Sequence, residues 1–193
     1  MKIDENFNMI VAECVEVLRK GGTILYPTDT IWGIGCDATN AKAVEKVYRI
    51  KRRPEEKSSI LLIDDDMKLF DYVENIPPIA IDLINSVRNP ISIIYPKAKN
   101  LPENVIAQDG SIAIRVVKNT FCKKLINLFG KPIVSTSANI SGQPAPLTYN
   151  DIAKEIFNEI DYAVVRSMEE SLEIKPSTLV RFDKNGEFEI LRS

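Results

Sequence analysis

Histidine is missing from this sequence altogether. Its absence removes Ser-His-Asp hydrolysis, Cys-His proteolysis and the commonest general base. Any chemistry must therefore run on lysine, arginine, carboxylates, hydroxyls, backbone amides or a cation carried in by a substrate. Cysteine is scarce and odd in number (Cys14, Cys36 and Cys122, with no C-x-x-C pair), which suggests neither a disulfide framework nor a zinc site. Cys14 and Cys122 fall in helix-like stretches and read as small buried hydrophobes. No apolar run approaches the roughly 18 residues of a membrane span. No basic-then-apolar leader opens the chain, and Asp4 and Glu5 stand where a secretory leader carries lysine. The expected location is the cytoplasm, with no membrane contact. The glycine-rich phosphate loops are missing too: there is no G-x-x-x-x-G-K-[ST], and no G-x-G-x-x-G after a strand.

What is present suits one soluble domain spanning 1–193, with 45% hydrophobic and 27% charged residues and enough chain to bury a core. A net charge of -2 argues against a dedicated nucleic-acid coat. It makes the knot of cations at Lys51-Arg52-Arg53-Pro54 conspicuous. Proline at 54 disfavours helix for Arg53. An extended run there would put Lys51 and Arg53 on one face, ready to meet phosphates or carboxylates.

Apolar spacing predicts helices over 4–20, 41–50, 67–73, 78–87, 120–129 and 151–160. Asp4 and then Thr39 or Asn40 are the expected caps of the first two, and Gly21-Gly22 and Gly130 are stop signals. Strands are expected at 23–26, 60–63, 91–95, 111–117, 132–134, 162–165, 177–182 and 187–191. The last two are joined by the hairpin signal Asp183-Lys-Asn-Gly186. Residues 31–37 form an apolar stretch containing Gly33 and Gly35, and Arg115 should face away from Ile114 and Val116. Helices alternating with strands, plus an antiparallel ending, predict an α/β fold with a mixed, twisted sheet. Strand order does not follow from the pattern.

Three short elements share one design, with polar side chains two apart beside an apolar segment: Thr28 and Thr30, Lys51 and Arg53, and Ser137 and Asn139. Loops at strand ends are where α/β proteins assemble ligand sites. Lysine offers a mobile point charge, arginine a fork matched to phosphate or carboxylate, and the hydroxyls and amide neutral partners. Each element also has a purely structural reading. Pro27-Thr-Asp-Thr30 works as a turn whose Asp29 binds nearby amides. The basic run complements a helix C-terminus, and Ser-Thr-Ser-Ala-Asn139 caps a helix. Trp32 reads as core or pocket wall.

In order along the chain, Tyr26-Pro-Thr-Asp-Thr-Ile-Trp-Gly-Ile-Gly-Cys-Asp-Ala38, Lys51-Arg-Arg-Pro54, Ser111-Ile-Ala-Ile-Arg115, Ser137-Ala-Asn-Ile-Ser-Gly142 and Ser177-Thr178 resemble the motifs of the YrdC-like family, the threonylcarbamoyl-AMP synthases. The resemblance runs from about residue 20 to Arg192 and is to short, single-domain members. It implies a twisted α/β sheet around a large electropositive cavity. It also implies the joining of L-threonine, bicarbonate or CO2, and ATP into threonylcarbamoyl-adenylate and pyrophosphate. A downstream tRNA threonylcarbamoyl transferase complex would carry the group to the adenosine beside the anticodon, and direct tRNA contact is possible.

Carried over by motif, Thr30, Arg115, Ser137 and Ser177 would contact threonine. Arg53, Lys57, Ser111, Asn139, Arg192 and the backbone near Leu147 would contact ATP. Lys51, Arg53, Ser137 and Asn139 match the K-x-R and S-x-N signature and are the catalytic candidates, with Lys51 as an electrostatic clamp. Mg2+ would ride on the ATP phosphates, and no protein metal site is expected. The chain departs from the family at Ser58-Ser59, at Val117-Lys118, and at Leu62, where some longer members carry a threonine-contacting histidine. Two other readings remain: a non-catalytic RNA-binding or ribosome-maturation protein using the same cavity, and a carbamoyl-transfer module like the related domain of hydrogenase maturation proteins.

Overall fold

The computed structural model describes residues 2–52, 59–165 and 177–192. Its strands form one nine-stranded sheet. In chain order the elements are α1 (Lys2–Arg19), β1 (Thr23–Tyr26), β2 (Gly33–Asp37), α2 (Ala41–Ile50), β3 (Ile60–Ile63), α3 (Leu69–Tyr72), α4 (Pro78–Ser86), β4 (Ile91–Tyr95), β5 (Ile112–Val116), α5 (Thr120–Phe129), β6 (Ile133–Ser137), α6 (Lys154–Glu159), β7 (Tyr162–Ala163), β8 (Thr178–Phe182) and β9 (Phe188–Arg192). The sheet order is β7-β1-β2-β6-β3-β5-β4-β8-β9. β1/β7, β3/β5 and β4/β8 are parallel and the other neighbours antiparallel, so the mixed sheet is as expected.

Local chemistry sets most boundaries. Gly21 ends α1 in the left-handed region (φ 74), while Gly22 N–H donates to the Val17 carbonyl. Asn40, rather than Thr39, caps α2, its side chain accepting from Lys42 N and Ala43 N. Gly130 closes α5 at φ 80. Other expectations need correcting. α1 begins at Lys2, so Asp4 lies inside the helix and not at its cap. The 151–160 helix shrinks to α6 behind a 3-10 turn at Tyr149–Asp151, where Thr148 and Asp151 form a reciprocal capping box. β6 runs on to Ser137 because antiparallel β2 pairs with it along its whole length.

Ile10, Val11, Cys14, Val15 and Leu18 of α1 are buried, and α1 packs against α5, where Phe7 meets Phe121 edge-to-face at 5.9 Å. All three cysteines are buried. Burial, with Glu13 nearby, pushes the Cys14 thiol up to about 12, so it packs as a small hydrophobe. Among the described residues no helix is long and apolar enough to cross a membrane.

Strand pairing puts Gly33 opposite Ser137, Ser135 opposite both Gly35 and Ile60, Leu62 opposite Arg115, and Ala113 opposite Ile94. Side chains alternate between the faces of a strand, so these residues share one face. Gly35 is required there: a Cβ would come within 2.7 Å of the Tyr26 ring and 2.9 Å of Ile133 Cγ2. Gly35→Ala should therefore lose about 3 kcal/mol, the upper end of overpacking costs. Urea denaturation would read this as a lowered midpoint at unchanged slope, and an unchanged midpoint would show that β1 and β6 yield freely.

Candidate active site

The shared face carries a cavity of about 430 Å3 lined by residues that include Thr28, Thr30, Trp32, Leu62, Arg115, Ser135, Ser137, Ser177 and Arg192. Its volume falls within the roughly 300–1,000 Å3 of small-molecule sites. The described lining residues include two charged side chains, both arginines, and no carboxylate.

Arg115 is the centre of the site. It is only 6% exposed, on β5, turned away from buried Ile114 as the strand pattern requires. Its Nε donates to Ser92 Oγ (3.0 Å), Nη2 to Ser177 Oγ (2.9 Å) and Nη1 to Thr30 Oγ1 (3.4 Å). All three partners are neutral hydroxyls. A guanidinium has five N–H donors, so one remains on each terminal nitrogen without a protein partner among the described residues. That pair is the fork that grips a carboxylate. Burial lowers the Arg115 pKa from its usual value, Asp29 opposes the shift, and Arg192 adds to it.

Arg192, at the end of β9, approaches from the other side of Ser177. Its Nε and Nη2 donate to the Ser177 carbonyl (3.1 and 3.0 Å), and Nη2 also reaches Ser177 Oγ (3.4 Å). Ser177 Oγ also shares a hydrogen bond with Ser92 Oγ, 2.9 Å away. Ser92 is fully buried and was not singled out from the sequence. Its one signal is a lone hydroxyl inside the apolar run Ile91-Ser-Ile-Ile-Tyr95.

Thr30 closes the arrangement from the turn between β1 and β2. Its amide donates to Thr28 Oγ1 (3.2 Å), whose hydroxyl donates to the Ile31 carbonyl (2.7 Å). The structural reading of this turn therefore holds alongside its place in the cavity wall. Trp32 also lines the cavity, buried and edge-on to Tyr149 at 5.0 Å.

Other candidates lie elsewhere. Lys51 is 2% exposed and does not line the cavity. Its ammonium donates to the Ser137 carbonyl, the Asn139 carbonyl (2.7 Å) and Asn139 Oδ1 (3.3 Å). Lys51 ends α2 in helical geometry and Arg52 turns left-handed (φ 49), so the expected extended run does not begin here. In this structure the Lys51 charge fastens the turn after β6. Asn139 is equally occupied, with Oδ1 accepting from Ser137 Oγ (2.5 Å) and Nδ2 donating to the Ile140 and Gln143 carbonyls (3.1 and 2.6 Å). Of the signature, only the Ser137 side lines the cavity among the described residues. Ser111 is buried just ahead of β5, its amide on Asp109 Oδ1 (2.9 Å), and Leu147 is 57% exposed two residues beyond cavity-lining Ala145. Arg53 and Lys57 lie outside the described residues.

The sequence matches the Sua5/YciO/YrdC family model, described as telomere recombination, over residues 16–193. It is 40% identical over 157 residues to a threonylcarbamoyl-AMP synthase of Pseudoalteromonas translucida (strain TAC 125), covering 80% of this chain and 84% of that protein. The fold resembles P. abyssi Sua5 complexed with L-threonine, with TM-score 0.82 and 26% identity, across 89% of this chain and 50% of that one. The chain thus spans about half the length of that Sua5 chain. It also resembles E. coli YciO, with TM-score 0.81 and 26% identity, across 96% of this chain and 89% of that one. With its motifs in order, its sheet matched and its sequence aligned nearly end to end, this chain belongs to the Sua5/YciO/YrdC family.

Proposed function

We propose that this chain is a nucleotidyltransferase that makes L-threonylcarbamoyl-adenylate from L-threonine, bicarbonate or CO2, and ATP, releasing pyrophosphate. The observation that carries the reading is Arg115, a buried cation whose fork has hydroxyl partners but no carboxylate partner among the described residues. An α-carboxylate would fill that vacancy, with the Thr30 and Ser177 hydroxyls beside it and Ser137 farther along the same face. The resemblance assigns ATP to Arg53, Lys57, Ser111, Asn139, the Leu147 backbone and Arg192. Arg192 retains Nη1 without a bond among the described residues. Lys51, Arg53, Ser137 and Asn139 remain the catalytic candidates, and Lys51 and Asn139 also hold the Ser137 turn in place.

In the reaction the threonine amine takes up CO2 to give a carbamate. A carbamate oxygen attacks the α-phosphorus in line, and pyrophosphate departs with the electron pair of the broken P–O bond. Negative charge accumulates throughout, so fixed cations that hold both anions together accelerate the step by positioning and charge stabilisation. No histidine is called for. Mg2+ would arrive liganded by the triphosphate. The adenylate would pass to a tRNA threonylcarbamoyl transferase complex in the cytoplasm.

Pyrophosphate release from ATP should require threonine and bicarbonate together, and mass spectrometry should find the threonylcarbamoyl-adenylate. Release indifferent to threonine would reject the substrate assignment and favour another use of the cavity.

A further inference from the structure

Asp29 carries an inference of its own. Its Oδ1 accepts two backbone N–H groups, from Lys118 (2.7 Å) and Asn119 (2.6 Å), residues some ninety positions away in the chain. Those amides lie just beyond β5, three and four residues past Arg115, while Thr30 is the next residue after Asp29. One carboxylate oxygen thus ties together the two segments that carry Thr30 and Arg115, whose side chains meet across the cavity at 3.4 Å. The second oxygen, Oδ2, is buried with no hydrogen-bond partner among the described residues. A polar oxygen buried without a partner is costly. The charge it can serve is Arg115, whose protonated form burial disfavours and Asp29 favours. No direct ion pair joins the two, so the influence acts at longer range through the low-dielectric interior.

We propose that Asp29 is a positioning residue for the amino-acid carboxylate, fixing the Thr30–Arg115 spacing through the two amides held by Oδ1. Asp29 touches no substrate in this scheme. The inference rests on the functional reading above only in taking the ligand to be an amino acid.

The test pairs two substitutions with two readouts. Asp29→Ala removes the oxygen that joins the two segments, whereas Asp29→Glu keeps the carboxylate on a longer arm and shifts their spacing. The KM for threonine should rise roughly tenfold in Asp29→Ala, mid-range for coupled neighbours, and rise also in Asp29→Glu. The KM for ATP should stay near wild type in both, a split that general loosening of the fold would not give. The second readout needs no substrate: the Arg115 Nε–H resonance, assigned by its loss in Arg115→Lys, should exchange with solvent faster in both variants than in wild type. Should Asp29→Ala fail to fold, Asp29→Glu decides alone. Unchanged threonine KM and unchanged Nε–H exchange in Asp29→Glu would overturn the proposal. If wild-type protein makes no threonylcarbamoyl-adenylate, the functional reading fails, and the resonance still decides whether Asp29 holds Arg115.

Discussion

Arg115→Lys should cost the enzyme most of its grip on threonine. Truncating one partner of a buried, hydrogen-bonded charge pair costs about 2–5 kcal/mol, a rise in KM of roughly 30-fold to several thousandfold. Lysine keeps the charge, so the experiment isolates geometry. Guanidinium presents a planar fork with Nε left over for Ser92, while ammonium is a point charge on a flexible stem. A lysine at 115 can satisfy Ser177 or the ligand, but it cannot reproduce three hydroxyl bonds and a bidentate grip together. The threonine KM, measured at saturating ATP and bicarbonate, should carry the loss. A near-normal threonine KM would place the carboxylate elsewhere and remove the main support for the proposed function.

Lys51→Met should produce the second large effect, on stability first. The ammonium makes three hydrogen bonds to the turn after β6, and the same turn returns one from Ser141 N to the Lys51 carbonyl (2.8 Å). Hydrogen bonds from a charged donor contribute about 1.5–3 kcal/mol each. Methionine recovers part of this by filling the space and removing a buried charge. A net loss of about 3 kcal/mol is expected, which lowers the melting temperature by roughly 6–12 °C in a chain of this size. Activity should fall with it, because Ser137 sits on the loosened turn. A variant as stable as wild type but inactive would return Lys51 to the role of a clamp on the ligand.

These two residues show how differently sequence and structure informed the site. Arg115 was legible: a single cation at an alternating position of an apolar strand has to face away from its neighbours, and that face is where the cavity lies. Thr30 was reached both through its pairing with Thr28 beside an apolar strand and through the ordered motifs, whereas Ser177 was reached through the motifs alone, since a lone hydroxyl in a loop has no distinguishing pattern of its own. Lys51 misled. Its charge and its place in a basic run suggest solvent or ligand, and nothing local reveals that three oxygens from residues 137–139 would enclose it. Ser92 went unnoticed because a serine in a strand is ordinary until its neighbour across the sheet is known. Asp29 was expected to bind nearby amides, and it binds amides from the far side of the sequence.

The sequence alone determined most of the elements and their punctuation, though not strand β2 or the full length of β6. Hydrophobic period, caps and glycine stops are local effects written within a few residues of where they act. It also determined what chemistry was excluded, since a side chain that is absent cannot be supplied by folding. Strand order was decided only by the tertiary structure, because pairing depends on which hydrophobic faces bury together across the whole chain. That order placed β8 beside β4 and β9 at the edge, and so brought Ser177 and Arg192 to Arg115. An unsatisfied charge in a cavity is a property of that convergence, and no stretch of sequence contains it.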